Sequence, residues 1–328
     1  MNRIKRISLP VETGALAVFV AAMLWQIMAF PDLRNIDNFA LILGNQAEVA
    51  ILAVGMTLVI ATGGIDISVG SVMGFCGIAL GIFTLQYHLI PAVAITLTLA
   101  LGAACGAFNG LLIARYKLPP IIATLAGFSA ARAGAYVLYK MLQGHFQTET
   151  SHTLPQMPDA YSNFALNSYM HVPLPGWTAV FSLIVMGIIL RKTRFGRTVL
   201  ALGGSREASY LSGLSVLRTE IGVYVCSGLL AGLAAVMATA RANPTPDAGK
   251  GLEMAAITAV VMGGTPVEGG AATMIGTALG VLSISAILKG VTSYGMGGLW
   301  VQLVLGAALL ASVELDRWRR QQREKPEV

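Results

Sequence analysis

The stretch that most constrains this chain is GGIDISVG at residues 63–70, which breaks an apolar run of membrane grade: residues 49–62 lead into it and 69–85 continue it. Two adjacent glycines end a helix at little steric cost, and Asp66 can cap the next one. A carboxylate at membrane depth is costly unless protein satisfies it. A helix broken in lipid therefore implies a cavity or a protein-lined interior.

The interruption recurs. GGTPVEGG occupies residues 263–270, so Gly63, Gly64 and Gly70 align with Gly263, Gly264 and Gly270 at a constant offset of 200. The run before the first break has 14 residues and the run at 252–262 has 11. As helices these measure about 21 and 17 Å, short of the ~30 Å hydrocarbon core. Both breaks are expected at membrane depth, where paired, glycine-interrupted short segments point to a translocation site. The plainer alternative is a pair of tight turns between ordinary spans.

A chain of 328 residues with 55 % hydrophobic and 12 % charged side chains cannot bury its apolar surface in one soluble core. The expected fold class is an all-α polytopic membrane protein, one transmembrane domain over residues 1–328, with short or broken helices near the pathway. Ten spans are read, at about 13–30, 47–62, 69–87, 90–116, 121–141, 177–190, 221–240, 252–264, 273–291 and 299–313. The run after the basic residues 1–9 lacks an Ala-x-Ala cleavage pattern and is expected to stay as the first span. Basic residues in short loops stay on the cytoplasmic side. Arg3, Lys5, Arg6, Arg115, Lys117, the cluster at 191–218 and that at 317–325 all fall on one side, so both termini are expected to be cytoplasmic. Ten spans do not make the two breaks inverted repeats, because the second and eighth spans run the same way.

The net charge of +6 is explained by this loop placement, and no basic stripe interleaved with aromatics points to nucleic acid. Cys76, Cys105 and Cys226 lie in apolar runs without Cys-x-x-Cys spacing, and the four histidines show no ligand periodicity, so no metal site is expected. The segment at about 143–175 is polar and proline-rich, which suggests a semi-ordered outer surface. Arg132 is the one basic residue deep in a span, and two readings stay open for it: an internal ion pair, with Asp66 as a possible partner, or a substrate contact. Asn45, Gln46, Asn109, Phe75, Phe108 and Tyr224 are amide and aromatic side chains of the type that can bind hydroxyl groups along a pathway.

The loop at about 191–220 carries a second signal. Ser205 is a good N-cap, Glu207 stands in the first turn and Gly213 is a natural stop, which predicts a stub of about two turns with Ala208, Leu211 and Leu214 as an apolar edge. So short a helix is unstable alone and needs a surface, such as a groove on a cytoplasmic partner. The tail at 314–328 is cytoplasmic on the same reading.

Four ordered stretches make the chain resemble the membrane-spanning permease subunit of bacterial ABC importers of the ribose, xylose, arabinose and galactose class. They are GMTLVIATGGIDISVGS (55–71), NGLLIARYKLPPIIATLA (109–126), TRFGRTVLALGGSREASYLSG (193–213) and AITAVVMGGTPVEGG (256–270). The resemblance implies about ten helices per subunit, a dimer of identical or homologous permeases, two cytoplasmic ABC ATPase subunits, a periplasmic sugar-binding protein and residence in the bacterial inner membrane. It implies that Thr193, Arg194, Phe195, Gly196, Arg197, Ser205, Glu207, Ala208, Leu211 and Gly213 belong to the ATPase-coupling segment. It places Gly63, Gly64, Asp66, Ser68, Gly263, Gly264 and Glu268 near the pathway, with Asn109 and Arg132 as further candidates. Leu252-Glu253-Met254 stands where the family often has Leu-Asp, and Pro266 and Glu268 are unusual between the paired glycines, so substrate identity does not carry over.

The chain has no G-x-x-x-x-G-K-[ST] phosphate loop and no catalytic constellation, so it reads as a non-enzyme that binds no cofactor itself. ATP and magnesium would be used by the partner ATPase. The alternative is a secondary carrier coupled to an ion gradient through Asp66, Glu48, Arg132 or Glu268.

Overall fold

The computed structural model describes residues 12–30, 44–146 and 154–324. The basic residues at 1–9, together with Arg34 and Lys325, lie outside them. Among the described residues the chain is almost entirely helical: α1 (Glu12–Ala29), α2 (Ala47–Ala61), α3 (Val69–Gly81, prolonged by a π turn at Ile82–Gln86), α4 (Pro91–Ala114) and α5 (Pro120–Phe146). Next come α6 (Asp159–Leu166), β1 (Ser168–Tyr169), β2 (Val172–Pro173), α7 (Leu174–Lys192), α8 (Arg194–Gly204) and α9 (Arg206–Leu211). The chain closes with α10 (Val216–Arg241), α11 (Leu252–Met262), α12 (Met274–Ser293) and α13 (Gly298–Glu324).

Each of the ten apolar runs falls on a helix. Six of these helices, at 69–86, 91–114, 120–146, 174–192, 216–241 and 274–293, are long and apolar enough to cross a membrane, and four shorter apolar helices lie at 14–29, 47–61, 252–262 and 298–314.

The short helix α2 is the centre. All fifteen of its residues are buried, among α7, α8, α10, α11 and α12. A helix surrounded by protein needs no polar face, which is why this run is apolar all round. On α4 and α5 the apolar side chains Val93, Leu97, Phe108, Ile122, Val137 and Met141 point outward and are exposed. In a membrane protein that surface faces lipid, where apolar exposure carries no penalty.

Small residues let the helices approach closely, as they must where lipid tails compete for apolar contact. On α4, Gly102 and Gly106 face α10: a Cβ at Gly106 would stand 2.8 Å from the Tyr224 carbonyl carbon, and one at Gly228 the same distance from the Gly106 nitrogen. Gly276 and Gly280 of α12 lie against the end of α11 in the same way.

Two segments are more ordered than their composition suggests. The polar stretch at 143–175 continues α5 to Phe146, then, beyond residues 147–153 that lie outside the described set, forms α6 and a two-residue antiparallel hairpin. Tyr161 of α6 is buried, its hydroxyl 3.2 Å from Thr84 Oγ1 at the end of α3. Packing, rather than periodicity, orders it. The 193–213 loop is two helices and not one stub, because Thr193 Oγ1 accepts from Gly196 N (3.1 Å) and starts α8 before Ser205 starts α9.

Candidate functional site

Both glycine breaks end a helix by the same hydrogen bonds. After α2, Gly63 N donates to Ile60 O (2.8 Å) and Gly64 N to Val59 O (3.1 Å), with Gly63 at φ +79°. After α11, Gly264 N donates to Val261 O (2.9 Å) and Thr265 N to Val260 O (3.2 Å), with Gly264 at φ +89°. This is the Schellman cap, whose left-handed residue must be free of a Cβ clash. Gly63 is thus equivalent to Gly264, an offset of 201 and not the 200 read from the motif. Gly64 and Gly263 are small for room instead: a Cβ would lie 2.6 Å from Tyr224 Oη at the first and 2.6 Å from the Gly276 carbonyl carbon at the second. Gly70 and Gly270 are not equivalent either, for Gly70 lies in the first turn of α3 and Gly270 is left-handed at φ +82°.

The two breaks meet. Gly270 N donates to Ala61 O across 3.0 Å, and a Cβ on Gly63 would stand 3.0 Å from the Glu268 carbonyl oxygen. Into this junction fits the end of α8: a Cβ on Gly203 would collide with the Ala61 carbonyl oxygen and the Gly270 nitrogen. One backbone contact therefore joins the 193–213 segment to both breaks. Gly203 carries no mark as a special position beyond its place in the Leu-Gly-Gly-Ser run, and only the fold shows what it touches.

Asp66 does not cap α3. Its Oδ1 accepts from Ser68 N (3.0 Å) and Ser68 Oγ (2.6 Å), a local turn that a short acidic side chain favours, and its Oδ2 accepts from Ser227 Oγ of α10 (2.9 Å). Asn109 Nδ2 of α4 donates to Ser68 Oγ (2.9 Å). All four side chains are buried, so the network ties the first break to α4 and α10. Ser227 is a partner that hydroxyl side chains in an apolar run do not advertise.

Arg132 does not pair with Asp66, whose oxygens the two serines already occupy. Its Nη1 donates to Pro246 O and to Ala248 O (3.2 Å), and its guanidinium lies 5.9 Å from the Phe128 ring centroid. One turn along α5, Tyr136 OH donates to Asp247 Oδ1 (2.8 Å). The two side chains clamp the turn at 243–251, which is laid along α3 where Gly74 and Gly81 leave room for Ala248 and Pro244. Glu268 is exposed at the second break, its carbonyl against Gly63.

In α9, Ser205 Oγ accepts from Ala208 N (3.2 Å), Glu207 lies in the first turn, and Gly213 at φ +75° closes the end. Arg206 forms a two-pronged pair with Glu220 of α10, its Nη2 2.8 Å from Oε2, and fixes the segment to the bundle. Phe195 packs against α10, since a Cβ on Gly222 would stand 3.0 Å from its ring. On the far face Ala208 is exposed, and Tyr210 and Leu211 are 72 % and 77 % exposed. Tyr210 extends the apolar edge beyond the residues read from spacing. A cavity of about 430 Å³ lies between this segment and the first break, with Gly63, Lys117, Arg206, Glu220 and Tyr224 in its walls.

Residues 38–313 match the family described as branched-chain amino acid transport system / permease component. Over 97 % of this chain and 91 % of the relative, it is 31 % identical to the L-arabinose ABC transporter permease protein AraH of Azospirillum brasilense. It is 36 % identical to the ribose import permease protein RbsC of Escherichia coli K12 over 87 % of each chain. It is 32 % identical to the autoinducer 2 import system permease protein LsrC of Klebsiella pneumoniae over 94 % of this chain and 87 % of that one. No solved structure matches the chain. Two breaks joined to a loop segment, on a bundle of apolar helices, thus belong to a chain whose sequence runs with these permeases almost from end to end: the protein is a member of the branched-chain amino acid transport system / permease component family, a multi-pass inner-membrane permease of the ABC import class.

Proposed function

We propose that this permease moves a monosaccharide or a related small polyol-like solute inward, driven by ATP that a separate subunit hydrolyses. The observation that carries the reading is the seat of Gly203 between Ala61 O and Gly270 N, because it lets a push on the 193–213 segment reach both helix breaks without an intervening flexible link. The relatives named for arabinose and ribose supply the solute class.

On this reading one domain of ten spans carries both termini and the 193–213 segment on the cytoplasmic side, as its basic residues require. The segment rests on an ABC ATPase subunit through Ala208, Tyr210 and Leu211. Two permease copies or homologues share two ATPases, which use ATP and magnesium, and a periplasmic binding protein delivers the solute. Gly63, Gly64, Asp66, Ser68, Asn109, Arg132, Gly263, Gly264 and Glu268 belong to the moving parts around the pathway. Most of them act by shaping and tying the breaks. Coupling to an ion gradient is disfavoured by the same geometry, since Asp66 is held by two serines and Glu48 by Arg241, whose Nη2 lies 2.6 Å from Oε1.

Leu211→Asp tests the coupling. Burying an exposed leucine in a partner is worth about 1.5–3 kcal/mol, so losing it and adding a charge weakens the ATPase contact more than tenfold. Expected is loss of copurification with the ATPase while the isolated permease keeps its melting temperature. Uptake that continues without ATP and collapses with the proton gradient would sink the reading.

A further inference from the structure

At the end of the bundle opposite the 193–213 segment lies a cavity of about 690 Å³, walled by the start of α2, the end of α10, the turn at 243–251 and the first turns of α11 and α13. That size suits a small-molecule site. Its polar groups are distinctive. Glu48 is buried, with its carboxylate 2.6 Å from Arg241 Nη2, and Arg241 Nη1 reaches Asn45 Oδ1 at 3.4 Å. Asn243 and Gln302 add two exposed amides, each able to donate and to accept, and Lys250 stands in the wall.

The set selects by what it rejects. Glu48 and Arg241 already satisfy one another, so they offer an ionic solute no unpaired counter-charge, and an apolar solute would desolvate the Asn45, Asn243 and Gln302 amides without giving them partners, which is a strong basis for discrimination. A neutral molecule with several hydroxyls satisfies all of them, because each hydroxyl both donates to a carboxylate or amide oxygen and accepts from a guanidinium or amide N–H.

The position matters as much as the chemistry. The wall at 243–251 is clamped to α5 by Arg132 and Tyr136. The same wall begins α11, a helix of 11 residues that runs directly from the cavity to Gly263 and Gly264. As a rigid rod of about 17 Å, α11 joins the cavity to the junction that Gly203 enters.

We propose that this cavity is the site where the permease itself first holds the neutral sugar, with Glu48, Arg241, Asn45, Asn243 and Gln302 as its hydroxyl partners and α11 as the rod that reports its occupancy to the helix breaks. This rests on the sugar-import reading above.

The test uses the full complex of permease, ATPase and binding protein in proteoliposomes, with D-ribose and L-arabinose as probes. In an Asn243→Leu, Gln302→Leu double variant the sugar moved per ATP hydrolysed should fall about tenfold, the effect of two lost hydrogen bonds. A variant that merely folded poorly would lower uptake and ATP hydrolysis together and melt early, whereas an unchanged ratio in a variant that keeps the wild-type melting temperature and ATPase rate overturns the proposal. In a second arm, Asn243→Cys is labelled from outside by a membrane-impermeant maleimide. Either sugar should slow labelling at least threefold, and leucine and glutamate should not. Equal protection by leucine, or none by either sugar, overturns the assigned chemistry. Protection by sugar in a preparation whose wild type shows no ATP-driven uptake keeps the cavity assignment and removes the import reading instead.

Discussion

Replacing Gly203 by alanine adds one methyl group at the point where α8 enters the junction of the two breaks. That methyl has no room: backbone atoms of both Ala61 and Gly270 stand where it would go, the Ala61 carbonyl carbon at 3.0 Å being the farthest of the three nearest. Carbon atoms in good contact sit about 3.5–4.0 Å apart, so α8 has to retreat by roughly 1 Å. Two penalties follow. Overpacking a close contact costs about 1–3 kcal/mol, and a retreat that stretches the 3.0 Å bond from Gly270 N to Ala61 O forfeits a further 0.5–1.5 kcal/mol or so. Gly204 is the internal control, because a Cβ there meets nothing within 4 Å. Both glycines lie in the last turn of α8, where alanine is the better helix former. Melting of the purified permease should therefore drop for Gly203→Ala and hold or rise slightly for Gly204→Ala. In proteoliposomes with its partners, Gly203→Ala should also move less sugar per ATP, since the displaced segment no longer bears on both breaks. Equal melting temperatures and equal coupling for the two variants would refute a backbone junction as the route of transmission.

Arg132→Gln removes the donor that reaches Pro246 O and Ala248 O, at about 1 kcal/mol or a little more for the part-buried carbonyls left without it. Hydrogen exchange should speed up in residues 243–251 before it does in α5, and the opposite order would argue against a clamp. Arg206→Ala leaves Glu220 buried without its partner, and because the Arg206 side chain is itself half exposed the loss should sit near the lower end of about 1–3 kcal/mol. Adding Glu220→Gln should recover most of that stability in thermal melts, and failure to recover it would mean that α9 is held by something other than the pair.

Much of the helical plan was legible because lipid imposes it: a run of apolar residues at membrane depth has to satisfy its backbone internally, and a helix does so. The ten apolar runs consequently fall on helices, most with small shifts of boundary, while α5, α10 and above all α13 extend beyond their apolar stretch. The stops were legible for a similar local reason, since the glycines after α2, α9 and α11 occupy left-handed caps that other residues enter only under strain. Local chemistry also marked Ser205 as the start of α9.

What spacing could not supply is which of two neighbouring glycines is there for its backbone angle and which for its lack of volume. Gly63 and Gly264 share the first role and Gly64 and Gly263 share the second, so the alignment shifts by one residue once the fold is seen. The partners of the buried polar groups were equally hidden. Asp66 found Ser227 at a sequence distance of 161, and Arg132 found two carbonyls of a turn more than a hundred residues away instead of a carboxylate. Sequence alone determined that this chain is a helical membrane protein broken at two glycine pairs, because solvation and steric limits act on each segment by itself. Only the tertiary structure decided that those breaks touch each other and the end of α8, because close approach is a property of the whole packing and no single segment contains it.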